Sequence, residues 1–190
     1  GVLVLHGTDT LAYSAAAMSF QLLGLAVPVL FTGSMLPAGA ADSDAWENLD
    51  GALQALTQGL APGVQLYFHG ELLNPHRTAK ARSFGRHPFV TLTRSGGAAR
   101  VPVPAALDYR APRQVASVAV LPLVPGIGAP LLRAALDSEV RGLVLECFGS
   151  GTGPCDDPGF LTALEQARAR GVVVVAITQC HEGGVELDVY

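Results

Sequence analysis

At 190 residues, with 49% hydrophobic content and a mean hydropathy of +0.37, the chain carries enough apolar surface to fill the core of one large or two small globular domains. Only 15% of its residues are charged and the formal net charge is -4, with no basic cluster or arginine stripe, so nucleic acid and anionic membrane are not expected partners and a small polar ligand is. The longest apolar runs, such as Val172 to Ile177, fall far short of the roughly 20 residues of a membrane helix, and no charged leader precedes an apolar region, so the chain reads as soluble.

The first element is the apolar run Val2-Leu3-Val4-Leu5, a strand that ends in His6-Gly7 and then offers Thr8, Asp9 and Thr10. The alanine-rich stretch Leu11 to Leu23 predicts a helix with Asp9 or Thr10 as its N-cap and Gly24 as its stop. Val27 to Thr32 predicts a strand, Gly33 to Ser43 a loop, and Ala45 to Thr57 a helix whose start gathers Asp42, Ser43 and Asp44. With a strand over Val64 to His69 the order becomes β-α-β-α-β, which implies a parallel sheet with helices on its faces. Two glycines, three prolines and no clear apolar period then mark 95–113 as an interdomain linker between a domain over 1–94 and another over 114–190. Beyond it come a strand (Val115 to Val124), a helix (Ala129 to Leu136), a strand (Gly142 to Phe148), a helix (Gly159 to Arg170), a strand (Val172 to Ile177) and a short extended tail.

The chemistry concentrates at the end of the first strand, because open α/β sheets bind ligands at the carboxyl edge of their strands. Backbone N–H groups beside Thr8 can hold an anion and Asp9 can hold a cation, so a zwitterion would satisfy both; the plain alternative is that Asp9 and Thr10 only cap the helix. A threonine hydroxyl needs activation before it can attack a carbonyl, and Lys80 and Asp9 are the available activators. Eleven of the twelve basic residues are arginine, which leaves Lys80 as the only lysine. Lysine can exchange a proton where guanidinium stays charged, so one reading of the lone survivor is a role arginine cannot fill, and the plain alternative is chance survival on a loop.

Other groups carry weaker signals. The run Gly149-Ser150-Gly151-Thr152-Gly153-Pro154 departs from a dinucleotide fingerprint and reads as a close-turning loop. Cys180 and His181 are adjacent in an extended segment and point to opposite faces, which argues against a catalytic pair. Cys147, Cys155 and Cys180 show neither CxxC nor zinc-finger spacing, so disulfide scaffold and structural zinc are not expected, and a cytoplasmic location is. His6 is expected to fix its turn through a local hydrogen bond. Met35 and Trp46 are expected to pack in or near the loop and core.

Several separated segments resemble one family. His6-Gly7-Thr8-Asp9-Thr10 with Leu11-Ala12-Tyr13-Ser14-Ala15 resembles the second signature of the bacterial-type L-asparaginases, in their cytosolic type I-like form. Val29 to Ser34 resembles the strand and turn of the family's next site loop, Asp42-Ser43-Asp44 with Asn48-Leu49 its following acidic segment, and Arg77-Thr78-Ala79-Lys80 its lysine motif. Gly142 to Gly149 and Val172 to Cys180 resemble its carboxyl-terminal domain. The resemblance implies an α/β, parallel-sheet asparaginase-like architecture, with a partial amino-terminal domain and a partial, smaller flavodoxin-like carboxyl-terminal domain.

It further implies hydrolysis of L-asparagine to L-aspartate and ammonia without metal or organic cofactor, by a homodimer or homotetramer. Thr8, Asp9 and Lys80 match the family's hydroxyl-carboxylate-lysine triad. Asp9 would also bind the substrate α-amino group, the Thr8 backbone N–H would help stabilise the oxyanion, and the Ser34 carbonyl would lie near the departing ammonia. The resemblance places the family's first, TGGTI-like motif, which supplies the threonine that attacks first, before Gly1, and its last strand and helix beyond Tyr190; Thr8 is then expected to belong to the supporting triad, and these 190 residues alone to release little or no ammonia. Thr178-Gln179-Cys180 resembles part of a regulatory region. Two other readings stand beside the hydrolase: an asparaginase-like amidotransferase subunit, and a non-catalytic amino-acid-binding or regulatory module.

Overall fold

The structure, a computed structural model, describes residues 1–92, 102, 104–137, 139–186 and 188. The chain divides into two units: one holds Gly1–Leu92 and the described residues up to Pro112, and the other begins at Arg113.

In the first unit β1 (Val2–Leu5), β2 (Pro28–Thr32) and β3 (Gly63–Phe68) run parallel in that order, linked by α1 (Thr8–Gln21) and α2 (Ala45–Thr57). Val29 and Phe31 lie in register with Val64 and Leu66, and α1 sets Leu11 and Ala15 into the same core. Each large side chain buried this way contributes about 1.5–3 kcal/mol. Leu30 and Tyr67 fall on the opposite face, because side chains alternate across a strand, and α2 packs there. Gly51 of α2 approaches so closely that a β-carbon would lie 1.9 Å from the Tyr67 hydroxyl oxygen. Helices on both faces account for the burial of Val29 through Thr32 in succession.

Three short strands depart from the expected all-parallel pattern. β4 (Glu71–Leu73) turns back antiparallel on β3 through His69 and Gly70, whose φ values of 47° and 82° suit a two-residue hairpin turn. β5 (Thr78–Lys80) and β6 (Phe89–Thr91) pair antiparallel as a separate ribbon, with Lys80 opposite Phe89. Lys80 therefore stands on a strand, not on a loop.

The start of α1 also differs from expectation. The helix begins at Thr8, with extended Gly7 (φ -66°, ψ 139°) in the N-cap position and no side-chain cap, so neither Asp9 nor Thr10 caps it. Asp9 is the second helical residue and its carboxylate turns to Lys80 instead. α1 ends near Gln21, and Gly24 takes the left-handed conformation (φ 85°) that ends the turn. Residues 93–101 and 103 of the linker region lie outside the described residues. Within its described part Ala105–Leu107 forms a 3-10 turn, and the Tyr109 N–H donates to the Leu23 carbonyl at 2.8 Å, which ties this stretch to the first unit.

The second unit is a parallel sheet of β7 (Val118–Pro122), β8 (Gly142–Cys147) and β9 (Val173–Thr178), connected by α3 (Ala129–Leu136) and α4 (Pro158–Ala169). β8 buries every second residue, Leu143, Leu145 and Cys147, in a core shared with Leu132, Leu136 and Phe160. α4 begins at a cap that sequence reading passed over: the Asp157 carboxylate accepts the N–H groups of Gly159 (2.8 Å) and Phe160 (3.2 Å), and Pro158 opens the helix. β7 is shorter than expected, and Val115 is fully exposed outside it. Residues 179–183 form bends where an extended tail was expected, and 187, 189 and 190 lie outside the described residues. Among the described residues no helix is long and apolar enough to cross a membrane.

Candidate active site

Thr8, Asp9 and Lys80 come together within the first unit. The Lys80 ammonium donates to Thr8 Oγ1 at 2.9 Å and to Asp9 Oδ1 at 2.6 Å, although more than seventy residues separate them in sequence. β1 delivers the first two groups: it pairs with β2, its end is fastened by the His6 N–H donating to Thr32 O at 2.9 Å, and the chain then passes through Gly7 into α1. The ribbon delivers the third, since Lys80 is the last residue of β5.

The three side chains differ in exposure in a way that suits their chemistry. Thr8 is 9% exposed and the Lys80 side chain 16%, whereas the Asp9 side chain is 93% exposed. A shielded ammonium beside a shielded hydroxyl favours the oxygen in its anionic form, and Asp9 balances the charge from the solvent side. The hydrogen bond from Lys80, and after it the Lys80 charge, hold the Asp9 carboxyl below its ordinary value of 3.8. The first N–H groups of α1 lack intrahelical acceptors and receive no side-chain cap, so they remain available to an anionic oxygen at Thr8.

Asp9 and Lys80 line a cavity of about 560 Å³ whose walls include Tyr13, Phe20 and His76. Ser34 lines a different one, of about 440 Å³, with His6, Gly7, Gly33 and Trp46. The structure thus brings three of the expected site residues into contact and places Ser34 beside the segment that leads to Thr8.

His6 behaves as expected, with Nδ1 donating to the Gly7 carbonyl at 2.8 Å. Trp46 does not: it is 61% exposed, while Met35 packs against the core. His76 was not singled out from the sequence, yet it stands in the Asp9–Lys80 cavity, 2.9 Å from Ser19 Oγ through Nδ1. Burial, and then the neighbouring Arg77 charge, push its imidazole below the usual histidine range. No spacing rule would have found it, because it depends on a short 3-10 turn, Pro75–Arg77, meeting the side of α1. Cys180 and His181 lie in the bends after β9, both exposed. Among the described residues no group of three or more potential metal-ligating side chains gathers.

Comparison with known proteins agrees with the fold. The profile described as "Asparaginase, N-terminal" matches residues 1–104, and that described as "Glutaminase/Asparaginase C-terminal domain" matches residues 117–190. This chain, an α/β protein built on parallel sheets, belongs to the asparaginase family. It is 35% identical to L-asparaginase 1 of Escherichia coli strain K12 over 201 residues, which cover all of this chain and 59% of that protein. It is 39% identical to the human 60 kDa lysophospholipase over 207 residues, 99% of this chain and 35% of that one. The solved structure of the thermostable L-asparaginase from Thermococcus kodakarensis matches with a TM-score of 0.80 and 32% identity, covering 100% of this chain and 60% of the other. The chain therefore spans between about a third and three fifths of the length of these relatives.

Proposed function

We propose that this chain carries the amide-hydrolysing site of an L-asparaginase, with Thr8, Asp9 and Lys80 as its hydroxyl-carboxylate-lysine triad. The observation that carries this reading is the pair of hydrogen bonds from one lysine to a buried threonine hydroxyl and to a carboxylate. Lys80 favours the deprotonated form of the oxygen it touches, that of Thr8 or of a water beside it. The triad so prepares a hydroxyl to add to the side-chain amide carbon of asparagine, and the proton that hydroxyl loses passes to the nitrogen. The C–N bond breaks, the nitrogen leaves as ammonia with the proton it gains, and one water is consumed in reaching aspartate. The charge that develops on the carbonyl oxygen meets the free N–H groups at the start of α1; losing one such donor costs about 3–4 kcal/mol in characterised enzymes. Asp9, exposed and ionised, is suited to hold the substrate ammonium while it balances Lys80. The Ser34 carbonyl lies near the departing ammonia in this reading.

The same reading takes 1–94 and 114–190 as domains joined through 95–113, and a homodimer or homotetramer as the assembly. Light scattering of the purified protein tests the latter. The chemistry is tested by ammonia release from L-asparagine, with calorimetric binding of L-aspartate as a second readout should release fall below detection. Asp9→Ala and Lys80→Met should each weaken the measured quantity at least about tenfold, the scale of a lost charge-assisted hydrogen bond. A folded protein that neither binds aspartate nor releases ammonia, or variants that do both undiminished, would refute it.

A further inference from the structure

Asn48, the fourth residue of α2, is 1% exposed, and both N–H hydrogens and the oxygen of its amide are engaged. Nδ2 donates to the Gly33 carbonyl at 2.9 Å and to Asp44 Oδ2 at 3.1 Å, while Oδ1 accepts the His69 N–H at 2.8 Å. An amide has only two N–H hydrogens, so neither is left over. The partners come from three segments: the turn after β2, the start of α2, and the hairpin after β3. Asp44, also 1% exposed, backs the arrangement by accepting the Met35 and Leu36 N–H groups at 3.0 Å.

Two branches lead from this amide towards the site. On one side Gly33 is in backbone contact with the end of β1, since a β-carbon there would lie 2.1 Å from the His6 carbonyl oxygen, and His6-Gly7 runs directly into Thr8. On the other side the His69 ring meets the His87 ring edge-on, with centroids 3.8 Å apart. His87 precedes Pro88, whose carbonyl accepts the N–H groups of Ala81 (2.8 Å) and Arg82 (3.1 Å), the two residues that follow Lys80.

We infer that Asn48 is a positioning residue, which holds Thr8 and Lys80 at hydrogen-bond distance through Gly33 and His6 on one side and through His69 and His87 on the other. The inference rests on the reading of Thr8 and Lys80 as working groups, but it is tested without turnover. A side chain that merely filled space would tolerate an apolar replacement. Removing this one leaves partly buried groups on both branches without their partner at once.

Lys80 is the only lysine, so protein grown with lysine isotopically enriched at Cε and Nζ gives one side-chain signal. We compare wild type with Asn48→Ala, with His87→Ala at an exposed position, and with Val64→Ala, a core truncation in the same unit. Asn48→Ala should move the Lys80 signal most of the way to that of free lysine. His87→Ala should move it less, with little change in melting temperature, and Val64→Ala should lower the melting temperature and leave the signal in place. A Lys80 signal unmoved in folded Asn48→Ala, or moved as far by Val64→Ala, would overturn the inference. Should Asn48→Ala not fold, His87→Ala decides: a shifted signal supports the ring branch and an unshifted one overturns it. A protein without amidohydrolase activity gives the same answer, so failure of the proposed reaction and failure of the positioning are told apart.

Discussion

Gly33→Ala puts the contact between the β2 turn and the end of β1 under direct strain. The new β-carbon would sit 2.1 Å from the His6 carbonyl oxygen, about 0.9 Å short of the 3.0 Å below which real β-carbons are essentially never found, and 3.3 Å from Leu11 Cδ1. The obstacle is backbone fixed by the sheet, so no side-chain rotation relieves it. Overpacking of this kind costs about 1–3 kcal/mol, offset by about 0.4–1 kcal/mol because alanine stiffens the unfolded chain. A net loss of about 1–2 kcal/mol, divided by a urea slope of about 1–3 kcal/mol/M, lowers the midpoint by about 0.3–2 M. Trp46 is the only tryptophan and lines the same cavity as Gly33, so its fluorescence follows the first unit alone. The displaced His6-Gly7 segment should also move the Lys80 signal. An unchanged midpoint and slope, with Trp46 emission and Lys80 signal as in wild type, would refute the reasoning.

Three further outcomes are expected. The Asp9 carboxyl is held below 3.8 in the folded chain by Lys80, so its stabilising contribution is present above 3.8 and is lost as pH falls through the lowered value; urea midpoints of wild type and Asp9→Asn should differ near neutral pH and converge in strong acid. Asp157→Ala removes the cap of α4 and should lower the melting temperature of the second unit by a few degrees, with Asp157→Asn retaining most of it, as followed by calorimetry. Leu143→Ala, at a fully buried position on β8, the middle strand of its sheet, should cost about 2–5 kcal/mol in urea unfolding of the second unit followed by circular dichroism.

Apolar pattern made the long elements legible. α2 at Ala45–Thr57 and α3 at Ala129–Leu136 lie where residue spacing and helix signals put them, because each buries a face that leaves a period in the sequence, and β1 at Val2–Leu5 lies where its unbroken apolar run puts it. β4, β5 and β6 have three residues each, too few for alternation to register, and their pairing is settled by the His69-Gly70 turn and by contacts distant in sequence. The start of α1 was misread for a related reason: Thr-Asp-Thr is a good capping sequence, but Lys80 competes for Asp9 and Thr8. Thr8, Asp9 and Lys80 stand out as types, a hydroxyl and a carboxylate at a strand end and a solitary lysine, but it is the resemblance of their motifs to those of the family that joins them into one candidate site. Asn48 falls in a segment that resembles the family, but what it does, like the part of His69 and His87, could not be read there, since an amide and two imidazoles acquire meaning only from what they touch.

The bond between Lys80 and Thr8 joins residues 72 apart in the chain. Closing so long a loop brings no return until β1, β2 and β3 have found their parallel partners and the ribbon has turned back on α1, and pairings of this kind form slowly. Lys80 is therefore expected to meet the Thr8 hydroxyl late in folding. A chain stalled earlier exposes Thr8 and Asp9 as an ordinary helix start, so the contact of Lys80 with both is made only as folding of the first unit completes.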